Sequence, residues 1–425
     1  MLKSGAVLVF GLGMAKLLVL AAHLLITNLG GASVYGIFSL ALIPINILTF
    51  AGLGGLQHSV IKFGTPLTIQ NAVSRDFTTL VRTIALTTAS LGSLLALILA
   101  LAAPLIGEHF FGKAEVVSPL RVLALSLPFI NLMTILCYAF RATGDFVPDM
   151  AIRNILRGIS LLAGIALVGL LLPPLTPIVA AWSFTMAAVI SCVVAMWLFF
   201  RFTATAFDTS TETPPYVRDM LKFGAVMTVG IVTHEILTVV DRTLLGRFAE
   251  TAVVGAFAGA ALLARQTEFG AVVLHGLLSQ KLSGDASLVD SKKFVLKSVV
   301  FSVFFYSAVI AVCIFAAPLI LGLLGAEFVS VKSEFIILII GYSLFSISTP
   351  LSTFVQFRGR TGYDVAIEFT GVIISSAVGL SLIPAFGSMG AAWGTTSAML
   401  AISVARFGVF VFTNQTDYNK VDQKT

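Results

Sequence analysis

Charge is what this chain has least of. Asp, Glu, Lys and Arg make up 11% of its 425 residues, where a soluble globular domain carries about 25%. That scarcity excludes a water-exposed surface over most of the molecule. Cysteine is nearly absent, with three residues (Cys137, Cys192, Cys313) and no CxxC or metal-ligand spacing. This rules out a disulfide framework and leaves small buried apolar side chains as the reading. No connecting loop exceeds roughly 25 residues, which leaves no room for an extramembrane catalytic domain.

What is present is apolar sequence. Hydrophobic residues make up 58% of the chain, and its mean hydropathy is +1.02. Uncharged runs such as 88–106 and 371–386 recur along its length, and a membrane-spanning helix needs about 20 such residues. The chain reads as an all-α polytopic membrane protein. The first run, with Lys3 ahead of it, continues to Ile26 through Lys16 without a small-x-small cleavage site. It is therefore expected to be an uncleaved first helix.

Polar, Gly and Pro punctuation predicts twelve transmembrane helices. Six lie near 5–28, 33–56, 80–106, 118–140, 150–171 and 177–200; six more lie near 220–246, 251–279, 294–318, 331–355, 364–385 and 389–412. The expected domains are an N-terminal six-helix lobe (1–200), a Pro/Thr-rich linker (201–219), a C-terminal six-helix lobe (220–412) and a tail (413–425). Segment 57–78 alternates apolar and polar residues and reads equally well as an interfacial amphipathic helix or a loop.

With the N-terminus in the cytoplasm, nineteen Lys and Arg residues fall inside, Arg141, Arg153, Arg157 and Arg406 among them. Only Lys113, Arg121, Arg247 and Lys332 fall outside. This bias places both termini in the cytoplasm, and it accounts for the pI near 9.3 without nucleic-acid binding.

Two pairs of stretches look duplicated. "FRATGDFVPDMAIRNI" (140–155) matches "FRGRTGYDVAIEFTGV" (357–372), and "LGGASVYGIF" (29–38) matches "RFAETAVVGAF" (247–257). Asp145 with Asp364, and Gly36 with Gly255, share an offset of 219. Six spans per half make this a parallel repeat.

Four further stretches carry a family likeness: "LGGASVYGIFSLA", "VVDRTLLGRF", "VVGAFAGAALLARQ" and "GSMGAAWGTTSAML" (387–400). Together they resemble the polysaccharide-biosynthesis flippases, the Wzx-like branch of the multidrug/oligosaccharidyl-lipid/polysaccharide exporter superfamily. The resemblance implies twelve helices in two lobes around a central cavity. It also implies translocation of a polyprenyl-diphosphate-linked oligosaccharide across the cytoplasmic (inner) membrane by alternating access, for surface polysaccharide biosynthesis. Expected partners are the lipid-linked oligosaccharide, membrane lipids, H+ or Na+ as coupling ion, and polysaccharide polymerase and glycosyltransferase machinery. No cofactor, nucleic acid or enzymatic activity is expected. The alternative is an ion-coupled drug or organic-cation exporter of the same superfamily.

Ionised side chains inside a bilayer are costly and mark function. Span one holds Lys16 and His23; span seven holds His234, Glu235, Asp241 and Arg242; span eight holds Arg265, Glu268 and His275. Spacings of three and seven set them in stripes on helix faces. Lys16, Arg265 and Arg242 are the candidates for an anionic diphosphate. Glu235, Glu268 and Asp241 are the candidates for ion coupling, and His23, His234 and His275 complete the cavity set. Blander readings stand beside these: Arg265 and Glu268 can neutralise each other, while Asp241 and Arg242 lie within about a turn of the outer end, where snorkelling serves as well. "GEHFFGKA" (107–114) lacks the Ser or Thr of a phosphate-binding loop, and "HEILT" (234–238) lacks the second His of a zinc-protease helix.

The topology is directly testable. Cysteines placed in 201–219 should be labelled by membrane-impermeant reagents only from the cytoplasmic side; labelling from outside would overturn both the orientation and the parallel repeat.

Overall fold

A computed structural model describes residues 2–69, 72–171, 174–203, 217–282, 288–357 and 361–412. Most of the expected linker and the tail 413–425 lie outside the described residues. Ten described stretches are long and apolar enough to cross a membrane, as expected of a multi-pass membrane protein. Apart from one pair of two-residue strands, Thr68–Ile69 and Ala72–Val73, the regular structure is helical.

Two compact units divide between Glu235 and Ile236. The first contains α1 (Leu2–Leu53), α2 (Leu56–Gly64), α3 (Arg75–Pro104), α4 (Val117–Ala124), α5 (Leu127–Ala142), α6 (Val147–Asp149), α7 (Arg157–Leu171) and α8 (Pro177–Thr203). The division falls inside α9 (Val217–Phe248). The second unit continues with α10 (Thr251–Ala264), α11 (Glu268–Leu282), α12 (Leu288–Gly322), α13 (Lys332–Phe357), α14 (Thr361–Phe386) and α15 (Ser388–Phe412).

The first two expected spans meet at Gly31, whose φ of 75° and ψ of −179° are not helical and divide α1 into two helices. A side chain would resist that backbone conformation and glycine does not. The eighth expected span is split into α10, a 3-10 turn at Arg265–Thr267 and α11, so neither piece alone is long enough to cross. Segment 57–78 is helical in its first part, as one of the two readings expected. Its helical part, α2, buries Leu56, Gln57, Ser59 and Val60, and the strand pair follows.

In the first unit, Phe77, Leu80 and Ile84 of α3 pack with Met133, Leu136 and Phe140 of α5. In the second, Leu278, Val295, Leu351, Phe354 and Phe410 form a smaller cluster. Large apolar side chains are also exposed in rows, such as Leu94, Leu97 and Leu101 on α3 and Phe301, Phe304 and Phe315 on α12. In water such rows would be an aggregation hazard; in a bilayer they are the lipid face.

The two halves repeat each other's local structure. "AAPLI" ends α3 at 102–106 and recurs in α12 at 316–320. A positive-φ glycine follows each, Gly112 and Gly325, and then a 3-10 helix opening with Ala-Glu, at Ala114 and Ala326. "AAWSFTMA" lies in α8 at 180–187 and "AAWGTTSA" in α15 at 391–398. These motifs add to the duplication read from the sequence.

The near-terminal "GSMGAAWG" has a packing role. A Cβ on Gly390 would stand 2.5 Å from the Leu382 carbonyl carbon, and one on Gly394 would stand 3.1 Å from the Ser375 carbonyl oxygen. This small-x3-small spacing lets the α14 and α15 backbones approach, as membrane helices require. Gly390→Ala should therefore force the two backbones apart and destabilise the protein by about 1–3 kcal/mol, read as a lower melting temperature in detergent. An unchanged melting temperature would show that the close approach is dispensable.

Candidate functional site

The broken eighth span carries part of the second unit's charge. Hydrocarbon supplies no hydrogen bonds, so a break in a membrane helix must be repaired by side chains. Here Thr267 Oγ1 donates to the Ala264 carbonyl at 2.9 Å, Gln266 Nε2 to that of Leu262 at 3.0 Å, and Tyr306 of α12 to that of Thr267 at 3.1 Å. Arg265 Nε donates to Glu268 Oε2 across the break at 3.1 Å. The neutralising pair that their spacing of three allowed is thus present.

Asp241 of α9 is only 3% exposed. Thr395 Oγ1 of α15 donates to its Oδ2 at 2.9 Å, and Arg242 Nε lies 3.8 Å from its Oδ1. Arg242 turns its Nη2 to the Thr238 carbonyl, at 2.9 Å. Arg265 also acts electrostatically on Asp241. Tyr342 of α13, 1% exposed, is within electrostatic reach of Asp241, Arg242, Arg265 and Glu268 together. Four of the nine candidate residues therefore share one neighbourhood, two cations against two carboxylates. His275 stands apart on α11, its Nδ1 2.8 Å from Thr353 Oγ1.

In the first unit, His23 packs across the Gly31 break. Its Nδ1 lies 3.2 Å from the Tyr35 hydroxyl, and its ring meets Tyr35 edge-on at 5.7 Å. Lys16 is half-buried on the same helix, and His234 and Glu235 are half-buried on α9.

Two charged clusters were not among the sequence candidates. Arg406, counted from the sequence as a cytoplasmic charge, is 3% exposed. It donates through Nε to Asp364 Oδ1 at 2.9 Å and through Nη2 to Glu368 Oε1 at 2.8 Å. Ser352 and Gln356 also donate to Asp364, at 2.7 and 2.9 Å. The second cluster joins Asp149 to Arg153 and Arg141, with Arg153 and Arg157 inside the span Val147–Gly169. The sequence signal was available: Asp364 and Glu368 are four apart on one helix face, as are Asp149 and Arg153. Asp145, aligned with Asp364 by offset alone, is instead exposed and accepts from the Val147 amide at 3.0 Å.

Comparison with known proteins supports the fold and the family. An inward-facing multidrug resistance MATE family transporter of the MOP superfamily matches with a TM-score of 0.76 at 15% identity, over 97% of this chain and 96% of that one. The lipid II flippase MurJ, in an inward closed conformation, matches with a TM-score of 0.77 at 14% identity, over 97% and 89%. A MOP superfamily transporter from Pyrococcus furiosus matches with a TM-score of 0.59 at 16% identity, over 96% and 93%. At such identities the likeness establishes the fold alone, that of the MOP transporters. No curated protein sequence matches the chain. A family model described as polysaccharide biosynthesis protein matches residues 1–266, well over half the length, and the chain belongs to that family.

Proposed function

We propose that this protein moves a polyprenyl-diphosphate-linked oligosaccharide across the cytoplasmic membrane by alternating access, for surface polysaccharide assembly. Family membership over residues 1–266 carries the reading. The fold agrees with it, since one structure sharing that fold is named a lipid II flippase. On this reading the ten stretches, with α1 counted twice and α10–α11 counted as one span, make twelve spans in two six-helix lobes. The division into 1–200, 201–219, 220–412 and 413–425 belongs to the same proposal, with both termini cytoplasmic.

A second reading has an observation of its own. MATE multidrug transporters match this fold about as well as the flippase does, so the fold does not choose between drug and lipid substrates. The cations Lys16, Arg242 and Arg265 among the intramembrane candidates support the lipid substrate. An organic-cation site needs acidic and aromatic groups, whereas an anionic diphosphate needs cations.

Within the flippase reading, Lys16, Arg265 and Arg242 are proposed to meet the diphosphate, and Glu235, Glu268 and Asp241 to serve ion coupling. His23, His234 and His275 line the same route. H+ or Na+ would supply the energy, and polymerase and glycosyltransferases would flank the step. Arg265 and Arg242 share their neighbourhood with Glu268 and Asp241, so part of their charge is already balanced.

Reconstituted vesicles loaded with a defined lipid-linked oligosaccharide test the function. The intact protein should move it to the opposite leaflet and leave an organic-cation dye behind; dye efflux without oligosaccharide movement would favour the exporter. Lys16→Ala should slow translocation about tenfold at normal membrane abundance. Arg265→Ala should lower abundance as well, because Glu268 loses its partner. Oligosaccharide transport at the parent rate in the double variant would remove these cations from the substrate route. Glu235→Gln should reduce gradient-driven transport more than substrate binding, and a rate and ion dependence equal to the parent's would reject its coupling role.

A further inference from the structure

The charged cluster of the first unit has more cation than its carboxylate can balance. Asp149, 6% exposed, accepts from Arg153 at 2.7 and 3.2 Å and lies 3.8 Å from Nη1 of Arg141. Both guanidiniums also lie over the Tyr138 ring, at 4.7 Å for Arg141 and 5.4 Å for Arg153. The Nε of Arg141 is buried without a hydrogen-bond partner. One carboxylate therefore serves two arginines before the third is reached.

The third is Arg157. It lies near the middle of the span Val147–Gly169, its guanidinium 4.9 Å over the Phe184 ring of α8. Among the described residues no carboxylate pairs with it, and the charged group acting on it is Arg153, a second cation. An arginine at that depth costs several kcal/mol unless water or an anion compensates it. An aromatic face returns only part of that. The backbone leading to it is also irregular: Met150–Leu156 is a π-helix, a form concentrated at functional sites.

Lys16 stands at the same level. Gly11 faces Met150, Gly158 faces Leu18, and Gly169 faces Leu29, so α1 and the helix ending in α7 run parallel and in step. That register sets Lys16 level with Ile155–Arg157, but two residues from Leu18 and so on the face of α1 turned away from that helix.

The second unit shows what this position looks like when it is balanced. "DMAI" at Asp149 and "DVAI" at Asp364 correspond. Four residues on, the first unit has Arg153 where the second has Glu368. In the second unit Asp364 and Glu368 share Arg406. Aligning the "AAW" motifs of α8 and α15 places Ala195, fully buried, opposite Arg406 in the first unit. Thus two carboxylates meet one guanidinium in one half, and in the other one carboxylate meets two, with Arg157 beside them. The balanced half accounts for its charges as structure; the unbalanced half does not.

We propose that Arg157, together with Arg153, binds a phosphate or diphosphate group carried on a lipid. A guanidinium fork matches phosphoryl oxygens in pairs, and the site's depth requires an anion that arrives with its own apolar anchor. The assignment rests on the flippase reading only for which lipid is bound. The same chemistry is offered by the diphosphate of a polyprenyl carrier and by an anionic phospholipid headgroup.

The full chain in phosphatidylcholine nanodiscs, followed by native mass spectrometry and by thermal melting, tests the site with farnesyl diphosphate and with phosphatidylglycerol. Both probes carry the phosphoryl group. Tighter binding of farnesyl diphosphate assigns the site to the diphosphate carrier, and equal or tighter binding of phosphatidylglycerol assigns it to bulk lipid headgroups. Arg157→Gln should weaken the preferred probe about tenfold at the parent melting temperature. Arg157→Lys, which keeps the charge but not the fork, should weaken it by a smaller factor, and it serves as the test if the Gln variant does not fold. Parent-level binding of both probes by the folded variants would overturn the site. Binding through Arg157 without oligosaccharide movement in vesicles would keep the site and remove the flippase reading. Oligosaccharide movement with probe binding indifferent to Arg157 would do the reverse.

Discussion

The absence of water from the bilayer interior is the constraint on which this structure depends. A backbone or side-chain polar group left without a partner there costs several kcal/mol. Departures from plain helix are therefore accompanied by repairs. The break at Arg265–Thr267 is sealed by Gln266, Thr267 and Tyr306. Asp241 is held by Thr395 from another helix, and Asp364 accepts from Ser352, Gln356 and Arg406 at once. These contacts join α9 to α15, and α13 to α14 and α15, so the groups least welcome in lipid are also ties between helices.

Much of this was legible in the sequence, because hydropathy and glycine act locally. The spans follow from apolar runs. The Arg265–Glu268 pair follows from a spacing of three, which puts two side chains on one helical face. What the face meets is another matter. Helical spacing set His234 with Asp241 and Glu235 with Arg242 on adjacent stripes, but burial of Asp241 against Thr395 depends on a residue 154 positions away. No local pattern carries such a pairing.

The Arg406 and Arg157 clusters escaped for a different reason. Loop charge counts assign orientation well, and a Lys or Arg near a predicted helix end is credited to the cytoplasm by default. Arg406 lies within the span Ser388–Phe412 and Arg157 well within Val147–Gly169, and each had been so credited. Boundaries drawn from hydropathy are good only to a few residues, which at 1.5 Å per residue is enough to move a guanidinium from headgroups into hydrocarbon. The Asp149–Arg153 and Asp364–Glu368 spacings are the signals that could have corrected this.

Duplication turns these clusters into a comparison within one molecule. Both halves keep an aspartate at the start of the corresponding helix, so the position itself is structural. Their partners diverge, Glu368 with Arg406 in one half and Arg153 with Arg157 in the other. A network of two carboxylates about one guanidinium, with Ser348, Ser352 and Gln356, ties three helices in the second unit and holds Arg406 buried. Replacing the second carboxylate by arginine, and the arginine of the last helix by Ala195, dismantles that network. It leaves Arg157 over the Phe184 ring, with no carboxylate pairing with it among the described residues. A fold shared by MATE and MurJ proteins does not choose a substrate; the excess of arginine over carboxylate in the Asp149 cluster is the feature on which the proposal of an anionic ligand rests.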